Sequence, residues 1–182
     1  MTVAAFLDRD GVINVDHGYV SSWDQFEFVA GVPEALRGLS EVGFELVVVS
    51  NQSGIGIGFY TEADLIRLNE HINDYLETAV EIRIRGFYHC PHHPTDAQEE
   101  FLMQCDCRKP APGMIHQATR DLGIDLGGSI LVGDKDSDIQ AGRAAGIGRL
   151  FKVSPASEPA GLDADVEPVA ALPDVLSRLK YL

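Results

Sequence analysis

The sequence predicts an α/β fold, a mainly parallel sheet with helices on both faces. Three observations lead there. Short apolar runs rich in β-branched residues recur along the chain, as strands buried on both faces require. Segments of helical periodicity separate them, several stopped by a glycine. The alternation of the two persists from the first residues to the last, which is the pattern of a parallel sheet. With 182 residues, positions 1–182 read as one domain with a well-buried core.

The elements follow in order. Val3 to Leu7 is the first apolar run and Phe44 to Val49 the second. Ile82 to Tyr88, Ile130 to Val132 and Gly148 to Val153 are the remaining three. Pro33 to Val42 is a helix with proline in its first turn and Gly43 after its end. Thr61 to Ala79 opens with Thr61 as N-cap and Asp64 three residues on. Its Leu65, Leu68, Ile72, Tyr75, Leu76 and Ala79 recur at helical spacing and predict a buried face. Pro112 to Leu122, Asp136 to Ala145 and Pro173 to Leu182 complete the helices. The stretch SPASEPAGLDADVEP reads as a loop. Two intervals break the alternation: Gly11 to Ala30 has no clear period, and Cys90 to Pro112 is a long irregular loop. Loops of that length in compact domains are functional or pinned by something.

The net charge of -14 argues against a nucleic-acid partner, which demands clustered Lys and Arg. It also opposes long-range steering of a phosphorylated ligand, so phosphate chemistry must depend on a few local cations such as Arg108 and Lys109. No stretch is long and apolar enough to cross a bilayer, and no membrane partner is expected. The opening MTVAAFLDRDG has no basic region ahead of an apolar run, so it reads as a strand rather than a signal peptide, and the expected compartment is the cytoplasm.

In an open α/β sheet, ligands gather at the carboxyl ends of the strands. There the sequence places Asp8 and Asp10, then Ser50, then Asp134, with Asp136 and Asp138 following. Carboxylates at close range cannot all stay ionised without a cation, and an oxygen-only anionic site suits Mg²⁺. A carboxylate can attack phosphorus to form an aspartyl-phosphate, and a second one can protonate the leaving alkoxide and later take a proton from water. Asp8 is read as the nucleophile and Asp10 as the acid/base. A single aspartate after a strand is usually a turn residue or cap; three aspartates gathered with Ser50 from three strand ends point to catalysis. Asp138 either orients metal-bound water or braces the helix that begins near Asp136.

All three cysteines fall in one pattern, Cys90-x-His92 followed by Cys105-x-Cys107. Three thiols and an imidazole make a closed tetrahedral zinc site, structural because no coordination position stays open. His93 could replace His92 as the imidazole ligand. His89 is read as capping a strand end, and His71 and His116 as helix residues without a catalytic role. Fixing Cys107 would aim Arg108 and Lys109 at the active rim.

The segments DRDGVIN, the serine ending the second apolar run, the RKP triplet and GDKDSD resemble the four motifs of haloacid dehalogenase-type phosphatases over nearly the whole chain. The resemblance implies a three-layer Rossmann-like fold. It implies that Ser50 and Lys109 bind the phosphoryl group, and that Asp8, the backbone carbonyl of Asp10 and Asp134 bind Mg²⁺. The segment CPHHP…CDCRKP is similar to two zinc-containing groups, the heptose bisphosphate phosphatases and the histidinol-phosphate phosphatases, and favours His92 as ligand. VDHGYV, VVVSNQSGI and CRKPAPGM favour the first group. That implies loss of the 7-phosphate from a heptose bisphosphate, in the supply of nucleotide-activated heptose for cell-surface glycans.

By the same resemblance Asp16, His17, Gly18 and Tyr19 close over the sugar, and Ser50, Asn51, Gln52 and Ser53 contact phosphate and sugar. Arg108, Lys109 and Lys135 are further substrate contacts. Where the group reads NQSGIARGKFT, this chain reads NQSGIGIGFYT, so Ile57 and Phe59 replace two cations. A monophosphate substrate, or an altered preference at the sugar's C1, is the alternative this departure raises. A large cap domain has no room in this length, so residues 11–30 and 90–112 must shield the site. A monomer is expected. A phosphosugar-binding protein without turnover is the alternative of another class, and the intact Asp8, Asp10, Lys109 and Asp134 argue against it.

Overall fold

The computed structural model describes residues 2–154 and 163–179. Six parallel strands form one sheet in the order β3-β2-β1-β4-β5-β6. They are β1 (Val3–Leu7), β2 (Phe44–Asn51), β3 (Gly86–Cys90), β4 (Ile130–Gly133), β5 (Arg149–Val153) and β6 (Val166–Val169). The helices are α1 (Val32–Glu41), α2 (Ser53–Ile57), α3 (Glu62–Val80), α4 (Gly113–Leu122), α5 (Asp136–Ala145) and α6 (Leu172–Leu179).

Alternation along the strands makes the three layers. Ala5 and Leu7 of β1, with Leu46 and Val48 of β2, point into a core that they share with Leu36, Leu39, Leu68, Ile72, Leu76 and Val175. These come from α1, α3 and α6. Ala4, Phe6, Val47 and Val49 point the other way, onto Met114, Ile115, Ala118 and Ile139 of α4 and α5.

The sheet's two edges differ from the sequence expectation. The third strand begins at Gly86 rather than Ile82. Asn73 of α3 holds the main chain of Ile84 from both sides, donating to its carbonyl at 3.2 Å and accepting from its N–H at 2.8 Å. Ile84 is thereby tied to the helix, not to the ladder. Strand β6 begins within the last residues of the stretch expected to be a loop, of which residues 155–162 fall outside the described residues. It is four residues long and contains Pro168, which an edge strand tolerates because one of its sides needs no ladder bond. The last helix is described only to Leu179.

Helix α3 has the expected start. The Thr61 hydroxyl accepts from the Asp64 N–H, and the Asp64 carboxylate accepts from the Thr61 N–H at 2.8 Å. Its buried face is Leu65, Leu68, Ile72, Leu76 and Val80. Tyr75 and Ala79 are exposed instead. The Tyr75 ring leaves the core to pack on Trp23 and Phe28 of the loop after β1. Phe26 stacks on the same tryptophan, so this aromatic cluster anchors the irregular segment 11–30 to α3. Because β1 lies between β2 and β4, their carboxyl ends meet at the middle of one sheet edge, where a doubly wound fold binds ligands.

Candidate active site

Asp8 is the first residue past β1, and its N–H still pairs with the Val132 carbonyl at 3.0 Å. That bond fixes it beside the end of β4. Its Oδ1 accepts from Lys109 Nζ at 2.8 Å. The same ammonium reaches Asp138 Oδ1 at 2.6 Å and donates to the Val49 carbonyl at 2.7 Å. All three side chains are buried. Burial alone would depress the Lys109 pKa, but the Asp8 and Asp138 carboxylates more than offset it and hold it above the ordinary value. Lys109 is therefore a charged brace between two strand ends.

Asp138 braces the start of α5. Its Oδ2 accepts from the Lys135 N–H at 3.0 Å, capping α5, while its Oδ1 takes Lys109. Gly133 has to be a glycine here, since a Cβ would lie 2.2 Å from the Asp138 Cβ.

Oxygens of Asp8, Asp134 and Asp138 lie within 4.8 Å of one another. Burial, and then repulsion by Asp8 and Asp138, push the Asp134 carboxyl up to about 6, although Lys135 pulls the other way. Its Oδ1 is buried without a hydrogen-bond partner. A Cβ on Gly11, whose φ is 88°, would meet Asp134 Oδ2 at 2.5 Å. An orphaned carboxylate oxygen in an all-oxygen anionic cluster fits a hard cation such as Mg²⁺.

The Asp10 carboxylate is outside that cluster. Arg9 Nη2 donates to both its oxygens at 3.0 Å, Asn14 donates to Oδ1 at 3.0 Å and Gln52 to Oδ2 at 3.1 Å. Two residues along the chain thus face different ways, as one nucleophile and one acid require. Ser50 is buried, and its hydroxyl accepts from Gln52 Nε2 at 2.7 Å.

The cleft beside these groups has a volume of about 490 Å³. Asp10, Asp16, Gly18, Tyr19, Asn51, Gln52, Ser53, Arg108, Lys109 and Lys135 line it, as do Tyr60 and Ser137, which sequence reasoning missed. Tyr60 lies in the NQSG segment, but nothing in its spacing marks it as facing the cleft. Lys135 approaches Asp16 to 3.8 Å across the opening. Tyr19 has a left-handed backbone (φ 52°) and packs edge-on to the exposed Phe59 at 4.7 Å. His17 does not line the cleft: it turns outward to Glu27, 3.1 Å away. Asn51 spends its amide on Lys109, donating to its carbonyl at 3.1 Å and accepting from its N–H at 3.0 Å.

The thiols of Cys90, Cys105 and Cys107 and Nδ1 of His92 form a second cluster. Cys107 Sγ lies 2.8 Å from Cys90, 3.3 Å from Cys105 and 3.3 Å from His92 Nδ1. Ligands at about 2.3 Å from zinc sit about 3.8 Å apart on a tetrahedron, so this S₃N donor set fits zinc with small shifts. His93 is committed elsewhere, its Nδ1 accepting from the N–H groups of Thr95 and Asp96. His89 caps no strand; it lies within β3 and reaches Glu62 at 2.8 Å. Arg108 is tied to the cysteine loop through the His92 carbonyl at 2.9 Å.

Fold and site together define a phosphatase of the haloacid dehalogenase class, a phosphoric monoester hydrolase. The family model described as HAD-hydrolase-like matches residues 106–177. The chain is 52% identical over 145 residues to the D-glycero-β-D-manno-heptose-1,7-bisphosphate 7-phosphatase of Escherichia coli K12, covering 80% of this chain and 75% of that one. It is 43% identical to the protein of the same name from Pasteurella multocida, covering 99% and 100%. A crystal structure of D,D-heptose 1,7-bisphosphate phosphatase from B. bronchiseptica, complexed with magnesium and phosphate, superposes with a TM-score of 0.84 at 29% identity, covering 100% and 99%. The chain belongs to the D-glycero-β-D-manno-heptose-1,7-bisphosphate 7-phosphatase family.

Proposed function

We propose that this chain, as one domain over residues 1–182, removes the C7 phosphate of D-glycero-D-manno-heptose 1,7-bisphosphate through a phosphorylated Asp8. The observation that carries this reading is the pairing at one cleft of a lysine-braced Asp8 with an Asp10 held in a separate network. The names of the relatives supply the sugar.

In the first step an Asp8 oxygen attacks phosphorus as the bond to the C7 oxygen breaks, and Asp10 gives that oxygen its proton. In the second, water attacks the phosphorus of the aspartyl-phosphate while Asp10 takes the water's proton. Phosphate leaves, and Asp8 is a carboxylate again. Ser50 donates to the phosphoryl group, and Lys109 holds Asp8 while neutralising charge beside it. Asp8, Asp134 and the Asp10 backbone carbonyl would hold Mg²⁺, which supplies charge neutralisation at the phosphoryl oxygens when bound. Cys90, His92, Cys105 and Cys107 would hold a structural Zn²⁺. Asp16, Arg108 and Lys135 offer the sugar hydroxyls and second phosphate their polar contacts. A monomer acting in the cytoplasm fits this reading.

A second reading, a histidinol-phosphate or other small phosphomonoester as substrate, is favoured by one observation. Phe59 is 63% exposed, packs on the cleft residue Tyr19 and places a ring where the related group has a cation. The test is phosphate release from both anomers of the bisphosphate and from histidinol phosphate, with added Mg²⁺. Selective release from one heptose anomer, abolished by Asp8→Asn, is expected. Equal or better turnover of histidinol phosphate would transfer the assignment to the second reading.

A further inference from the structure

Gln52 and Tyr60 form a buried polar chain that the roles above do not use. Gln52 is 3% exposed and Tyr60 8%. The Gln52 amide nitrogen donates to Ser50 Oγ at 2.7 Å and to Asp10 Oδ2 at 3.1 Å. Its amide oxygen accepts from the Tyr60 hydroxyl at 2.5 Å. Its main-chain N–H donates to the Cys90 carbonyl at 2.8 Å, which ties the residue to the cysteine cluster. The Tyr60 ring is clamped in turn, since a Cβ on Gly54 would lie 2.2 Å from its Cε1.

The direction of this chain is forced. In its ionised state Asp10 only accepts, so the amide edge facing it is the NH₂ group and the oxygen faces Tyr60. The phenol then has to donate. Burial, the largest influence, pushes the Tyr60 pKa up to about 12, and the proton stays in place. Ser50 shares the same NH₂ group and so accepts. Its own hydrogen is left free for another acceptor.

We infer that Gln52 and Tyr60 are positioning residues: Tyr60 locks the Gln52 amide, and Gln52 aims the Ser50 hydrogen at the phosphoryl group while holding Asp10 toward the leaving oxygen. The inference rests on the roles proposed for Ser50 and Asp10. It differs from the substrate contact that the resemblance implies for Gln52, because both ends of the amide are occupied by the protein.

The test measures kcat, KM and thermal midpoint for Tyr60→Phe and Gln52→Glu. Substrates are heptose 1,7-bisphosphate and p-nitrophenyl phosphate. Tyr60→Phe is expected to lower kcat about 10-fold with KM within about two-fold, the size of one neutral hydrogen bond. Gln52→Glu keeps the shape and still accepts from Tyr60, but loses both donors, so about 100-fold is expected. A purely structural role would lower the thermal midpoint in both variants and leave kcat of the folded protein near wild type. Unchanged kcat in both variants overturns the inference. A raised KM at unchanged kcat also overturns it and makes Gln52 a sugar contact. If only p-nitrophenyl phosphate is turned over and the variants still lose kcat, the heptose reading falls and the inference stands. A wild type that hydrolyses neither ester removes the roles of Ser50 and Asp10 and the inference with them.

Discussion

Asp134→Asn is expected to stabilise the magnesium-free protein. Asp134 is partly buried, and that burial, with the facing Asp8 and Asp138 carboxylates, raises its pKa from 3.8 to about 6. The folded state therefore binds more protons than the unfolded chain between those two values. Stability falls as pH rises through that window, and the full penalty stands above about 6. The gap corresponds to about 3 kcal/mol. Asp134 is only partly buried, so solvent screening reduces this to about 1–2 kcal/mol. An asparagine keeps the shape and removes the charge. At pH 7.5, in magnesium-free buffer with zinc retained, its thermal midpoint should rise by about 4 °C. Near pH 4 the gain should shrink toward zero, because the wild-type carboxyl is then protonated. Added Mg²⁺ should reverse the order, stabilising the wild type by mass action and the variant far less. The measurement is a set of thermal melts at the two pH values with and without the cation. A variant that is less stable than wild type at pH 7.5 without magnesium would refute the repulsion argument.

Other perturbations separate brace from catalyst. Lys109→Met leaves Asp8 and Asp138 buried without their shared cation, and a loss of about 3–5 kcal/mol in urea unfolding is expected; a loss below about 1 kcal/mol would mean the ammonium is not the brace. Cys107→Ser removes the thiol at the centre of the S₃N cluster, and the variant should purify without zinc and melt lower. Full zinc content by atomic absorption with an unchanged melt would show the cluster to be no metal site.

Much of the architecture was legible in residue order. Runs such as FELVVV suit strands buried on both faces, and Thr61 with Asp64 marked the start of α3 to the residue. The misread places have local causes. The segment Ile82 to Arg85 has strand composition, but Asn73 captures the main chain of Ile84 within it. The segment VEPV carries a proline that argues against a strand everywhere except at a sheet edge, and edges are not visible until the strand order is known.

The sequence by itself determined which chemical groups would stand at the strand ends, because strand boundaries and the acids after them are local properties. It also narrowed the S₃N cluster to the three cysteines and one of two neighbouring histidines, since every cysteine falls within one segment. Only the tertiary structure decided how those groups are divided. Lys109 meets Asp8 across 101 residues of chain, and Asp138 joins them because α5 follows directly on β4, the sheet neighbour of β1. Asp10, two residues from Asp8, leaves the acid cluster for Arg9, Asn14 and Gln52, while His17 turns out to Glu27. Spacing gives each side chain its neighbours along one element. Its partner in a buried network is chosen by the packing of several elements at once, and that choice exists only in the folded chain.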